Sequence, residues 1–287
     1  MNTERNINFQ EKQREIPFKE YLPNDEDVKC VLESNVIYFG GTFEKVNSKA
    51  TKDLKQSWAN YSNSSLFAFE AGVDAEKVIN FIEEKGINNI VLAGYSQGAQ
   101  KAVELNNLLK EKDKEIKNEG VILIEATGLY DENKLASKFV SEGINTVKEI
   151  FKNKRKGKKK AVKKSLTLLT EIVSNGVPKL VEGTLKEEIE LMSRLDDFLN
   201  NIESSIVLVQ GRNDRVSSPK QIAKNNGEQK IEKNQNIREK KYLKEIFPKS
   251  KKISWFIPDQ LASHALPVLR GREVAKTTLY MLARQKR

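Results

Sequence analysis

Six short apolar runs punctuate the chain: VIYF (36–39), SLFAFE (65–70), NNIVLAG (88–94), VILIEA (121–126), SIVLVQG (205–211) and ISWFI (253–257). Most are rich in β-branched or aromatic residues. Runs this short and this continuously apolar read as strands buried on both faces, as in a parallel sheet. Between most of them the apolar period lengthens to that of a helix. In DAEKVINFIEEKG (74–86), Val78, Ile79 and Ile82 fall on one face and Gly86 stands where a C-cap belongs. In AQKAVELNNLLKEK (99–112), Ala102, Leu105 and Leu109 do the same. Strand and helix in alternation predict an α/β protein, a doubly wound, mostly parallel sheet with helices on both faces.

The alternation stops between residues 132 and 200, where no strand pattern occurs. Phe139, Val140, Ile144, Val147 and Phe151 lie at helical spacing, as do Val162, Leu166, Leu169 and Val173. A third helix is expected to open at Thr184, with Glu187 three residues on as in a capping box. Ile189, Met192, Leu195 and Leu199 continue its apolar side. The expected organisation is therefore a polar N-terminal leader (1–29), a core made of 30–131 and 201–287, and an all-helical cap or lid (132–200) inserted between the fourth and fifth strands. Residues 225–241 are strongly polar and read as a solvated loop or helix.

Composition narrows the setting. The 287 residues are enough for one large domain with an insertion. Cys30 is the only cysteine, which excludes an intrachain disulfide and suits a reducing compartment. The first residues, MNTERNINFQEKQREI, lack the apolar segment of a signal peptide, and no run of about 18 apolar residues suggests a membrane span. A cytoplasmic location is expected. The net charge is +10, but it is concentrated in KNKRKGKKKAVKK (152–164). Without the nine basic residues there (Lys152, Lys154, Arg155, Lys156, Lys158, Lys159, Lys160, Lys163 and Lys164), the 50 Lys and Arg fall to 41 against 40 Asp and Glu. Such a segment reads first as a solvated interhelical loop, and next as a patch that docks peripherally on an anionic membrane. Nucleic acid ranks last, because only Phe151 flanks the run and stacking needs aromatic residues.

The chemistry centres on Gly94-Tyr95-Ser96-Gln97-Gly98, a G-x-S-x-G motif with a strand pattern before it and a helix pattern after it. A sharp strand-to-helix turn lifts a serine Oγ out of the sheet, and glycines on either side let backbones pass where a Cβ would clash. The start of the following helix favours developing negative charge. On these residues the chain resembles the α/β-hydrolases, over roughly 35–130 and 204–286.

That resemblance implies a nucleophile, acid and base in this order along the chain. Ser96 matches the nucleophile. Asp214, three residues beyond Gly211 at the end of the fifth run, matches the acid; Glu125, Asp131 and Asp259 are weaker substitutes. His264, the one histidine, stands in the family's base loop seven residues after the last run. The oxyanion hole would take the N–H of Gln97 and one from the FGGTF loop, Thr42 first and Gly41 next. The family's first antiparallel hairpin is expected to be missing or reduced to VKCVLE (28–33). No cofactor is implied. No metal site is implied either, since no Cys/His cluster has ligand spacing.

The expected activity is that of a serine esterase: hydrolysis of a carboxylic ester or thioester through an acyl-enzyme. Two alternatives remain. One is a lipid-surface lipase or acyltransferase that uses the basic cap segment. The other is a catalytically silent hydrolase fold that serves as a binding module.

Overall fold

The computed structural model describes residues 16–25, 27–41, 44–112, 115–126, 201–211, 247–257 and 266–286, together with short pieces at 162–163, 166–167, 170, 174, 199, 237–238 and 243–244. Each of the six apolar runs contains a strand. These are β2 (Asn35–Phe39), β3 (Leu66–Phe69), β4 (Asn89–Tyr95), β5 (Lys117–Ile124), β6 (Ile206–Val209) and β8 (Ile253–Phe256). Two short strands complete the sheet, β1 (Lys19–Tyr21) and β7 (Ile237–Arg238). The order across the sheet is β1-β3-β2-β4-β5-β6-β8-β7. The six central strands run parallel, and β1 and β7 pair antiparallel at the two edges.

Alternate residues of each central strand face opposite layers. Ile37, Phe39, Leu92, Leu123 and Leu208 join one apolar cluster, together with residues of α2 (Ala75–Glu84) and α3 (Gly98–Glu111). Val36, Tyr38, Ala93, Ile122 and Val207 join the other, with residues of α1 (Lys52–Ser62) and α4 (Leu266–Gln285). Burial on both faces explains why the strands read as continuous apolar runs rather than alternating ones. The local signals for α2 hold in detail. The Asp74 side chain accepts a hydrogen bond from Glu76 N–H at 2.9 Å, and Gly86 just past the helix adopts φ +63°.

Three features differ from the sequence expectation. The stretch read as part of a loosely packed leader supplies β1, with Tyr21 buried and Phe18 packed 4.7 Å from the Phe81 ring. No strand forms at 28–33, so the antiparallel edge lies earlier in the chain. The polar stretch 225–241 contributes β7. Both edge strands are two or three residues long and charged, which blunts further pairing but hides them from a search for apolar runs. Of the expected cap, the short pieces at 162–163, 166–167, 170 and 174 are helical, and the Thr167 and Thr170 hydroxyls bond back to the Lys163 and Leu166 carbonyls at 3.0 Å. Leu166 is half exposed. The remainder of 132–198 lies outside the described residues.

Candidate active site

Strand β4 ends at Tyr95 and α3 begins at Gly98, leaving Ser96 and Gln97 to make the whole turn. Ser96 pays for that brevity with a left-handed backbone, φ +54°. A non-glycine residue in this region is strained and persists only where its surroundings hold it. Here Ser96 N–H donates to the Ile124 carbonyl of β5 at 2.9 Å, and Ala99 N–H donates to the Ser96 carbonyl at 3.1 Å. The side chain is buried at the carboxyl end of the sheet, where open α/β sheets place their ligands.

The flanking glycines are steric necessities. A Cβ on Gly94 would collide with the Gly98 carbonyl oxygen and the Ala99 backbone, and one on Gly98 with the carbonyl oxygens of Phe39 and Gly40. Helix α3 therefore starts directly against the end of β2. Gln97 is its N-cap residue, so the Gln97 N–H stands at the positive end of the helix dipole.

The loop after β2 meets the turn from the other side. A Cβ on Gly41 would lie 3.3 Å from the Tyr95 ring and 3.4 Å from Ser96 Cβ. Glu44, five residues after β2, folds back beneath it. Its Oε2 accepts from the Tyr38 hydroxyl at 2.8 Å and from Gly41 N–H at 3.4 Å. Its Oε1 accepts from the Thr51 hydroxyl and from Lys55 Nζ, the latter at 3.0 Å in a buried ion pair. Burial, and after it the charge of Glu44, holds the Tyr38 phenol well above its ordinary range. On the opposite side of Ser96, Glu125 follows β5 with φ +48°, fully buried, and its N–H donates to the Val209 carbonyl at 2.7 Å. Gln210 is likewise buried at the end of β6, and its side-chain amide has no hydrogen-bond partner among the described residues.

Among solved structures, the chain is similar to a membrane phospholipase A described as a bacterial virulence factor (16% identity, 94% of this chain and 82% of that one, TM-score 0.57). It is also similar to a thermophilic esterase from Thermogutta terrifontis (14%, 94% and 93%, TM-score 0.54). A third is a lipase-esterase related protein from Clostridium acetobutylicum (15%, 92% and 98%, TM-score 0.51). The chain has the α/β-hydrolase fold. No protein-family model and no curated protein sequence matches it.

Within this α/β-hydrolase fold the structure brings together Ser96, Gln97 and Gly41 of the expected site, with Glu125 beside them. Asp214, His264 and Thr42 lie outside the described residues, as do Asp131, Asp259 and every basic residue of 152–164 except Lys163. Among the described residues no cluster of His, Cys, Asp or Glu could hold a metal ion, and no helix is long and apolar enough to cross a membrane. Sequence reasoning missed the cluster around Glu44. A glutamate in a loop and a lysine in a polar-looking helix carry no mark of burial.

Proposed function

We propose that this chain is a serine hydrolase that cleaves a carboxylic ester or thioester through an acyl-enzyme, with Ser96 as nucleophile. The observation that carries this reading is Ser96 itself: a strained, buried serine at the start of a helix, with a glycine loop against its Cβ. Strain of this kind collects at functional positions, and a merely structural turn here would favour glycine. Ester- and lipid-acting proteins among the similar structures support the same substrate class.

In this reading His264 takes the Ser96 Oγ proton as the oxygen attacks the carbonyl carbon, and Asp214 orients the imidazole and stabilises its charged form. The oxyanion that forms is held by Gln97 N–H and by an N–H from the loop after β2. Collapse breaks the bond to the alcohol or thiol, which leaves with the proton from His264. Water, deprotonated by the same imidazole, then releases the acid and restores Ser96. Gly41 N–H is turned toward Glu44, which supports Thr42 over Gly41 as the loop's donor.

The test joins a fluorophosphonate probe with a panel of p-nitrophenyl esters of increasing length. The probe should label the wild type at Ser96, and Ser96→Ala should lose both labelling and turnover. Asp214→Asn should impair turnover strongly, whereas Glu125→Gln and Asp259→Asn should not; the reverse would reassign the acid. Activity should rise with pH through a single limb, roughly between 6 and 8, because a neighbouring carboxylate favours the imidazolium and raises the ordinary histidine value. His264→Ala should abolish it. Near-normal turnover in Ser96→Ala or His264→Ala would refute the triad.

A second reading extends the first. Nine basic residues in 152–164, together with the likeness to a membrane phospholipase A, favour docking on an anionic lipid surface.

A further inference from the structure

Four hydrogen-bond donors converge on one buried carboxylate. Tyr38 comes from β2, Gly41 from the loop, Thr51 from the N-cap of α1, and Lys55 from the first turn of that helix. Glu44 thereby ties the loop to the strand before it and to the helix after it. The packing is as close as the bonding. A Cβ on Gly40 would meet Glu44 Cβ at 3.0 Å and its Cγ and Cδ at 3.1 Å, so the glutamate side chain lies flat against the loop.

Stability alone does not explain this arrangement. A buried ion pair often contributes no more than a well-packed apolar pair of the same volume. What an apolar pair cannot do is accept the Gly41 N–H and the Tyr38 and Thr51 hydroxyls at once. A carboxylate is an acceptor at every position, whereas an amide would set its NH2 against a donor on one side.

We propose that Glu44, held by Lys55, Tyr38 and Thr51, is a positioning residue that sets the loop after β2 at the distance from Ser96 needed for oxyanion binding. This rests on the hydrolase reading given above. A Cβ on Gly41 would already press on Tyr95 and Ser96, so the loop runs close beside the turn and a shift of the carboxylate moves it relative to the nucleophile. Glu44 touches no reacting atom. Its effect passes through the backbone of Gly41 to the donor that follows.

The test compares Glu44→Gln, the double variant Glu44→Leu/Lys55→Met, and Tyr38→Phe on one activated ester, with thermal melts of each. Loss of a whole oxyanion donor commonly costs about 100- to 1,000-fold in kcat. A displaced loop with Gln97 still in place should cost less, roughly 10- to 100-fold, with KM changed little. Fluorophosphonate labelling of Ser96 should slow in parallel, since that reaction also develops charge on an oxygen in the same hole. The double variant separates positioning from stability. Its melt should recover toward the wild type while its kcat stays low. A folded double variant with wild-type kcat and labelling rate overturns the proposal. If neither Glu44 variant folds, Tyr38→Phe decides: a several-fold fall in kcat at unchanged KM supports it, and an unchanged kcat overturns it. Failure of the hydrolase reading looks different, because the wild type itself would then neither hydrolyse the esters nor take the probe.

Discussion

At the scale of single residues, the site depends on where a side chain is tolerated and where it is not. Gly94 and Gly98 have no room for a Cβ, and Gly41 has barely enough. Ser96 keeps its side chain although its backbone, at φ +54°, suits glycine better. An L-residue in the left-handed region is disfavoured by roughly 1–2 kcal/mol. Glycine offsets part of that gain through its extra freedom in the unfolded chain. Ser96→Gly should therefore be more stable than Ser96→Ala by about 1 kcal/mol, both being inactive. Urea denaturation of the two variants measures this directly. Equal stabilities would mean that the turn stores no strain at this position.

At the scale of elements, a junction built on a buried carboxylate ties the end of the C-terminal helix to the sheet. Glu119 of β5 pairs with Lys117 at 2.9 Å and with Lys286, just beyond α4. Burial pushes the Glu119 carboxyl up, but the two lysines outweigh it and hold it below the ordinary glutamate value. A carboxyl whose pKa is lower in the folded chain adds stability above its unfolded pKa, about 4.3, and loses it as pH falls through the folded value. Glu119→Gln should therefore lower the melting temperature at neutral pH, and the gap from the wild type should narrow below about pH 4. Melts of both proteins from pH 7 to pH 3 provide the check. A gap of constant size over that range would show that the ion pairs contribute nothing through charge.

At the scale of the whole molecule, charge is distributed unevenly. The chain is nearly neutral apart from residues 152–164, within the stretch that interrupts the α/β alternation between β5 and β6. If that segment docks on lipid, binding should be electrostatic, strong on vesicles containing phosphatidylserine, absent on neutral ones and weakened by salt. Ser96→Ala keeps the binding free of turnover. Replacing the nine basic residues with glutamine should abolish vesicle binding and leave hydrolysis of a soluble short-chain ester near the wild-type rate. Vesicle binding that survives those replacements would place the lipid surface elsewhere.

The fold was legible in the sequence because its strands are buried on both faces. Burial of that kind leaves continuous apolar runs, and all six runs became strands at close to the expected positions. The turn at Ser96 was legible for a similar reason: two glycines and a serine between a strand and a helix satisfy a steric requirement that is local in the chain. The edge strands were not legible, since β1 and β7 are too short and too charged to carry a pattern of their own. They exist because a neighbouring strand offers them hydrogen bonds. Nor could Glu44 and Lys55 be recognised, because each alone looks like an ordinary exposed charge. Only the packing of α1 against the sheet and beside α4 turns Lys55 inward, and only the return of the loop over Gly40 brings the carboxylate to meet it. The sequence by itself thus determined the layers of the sheet and the position of its strained serine, both of which follow from short-range sterics and apolar period. The tertiary structure alone decided which polar side chains leave water and converge beneath the site, because that depends on contacts between elements that no local pattern encodes.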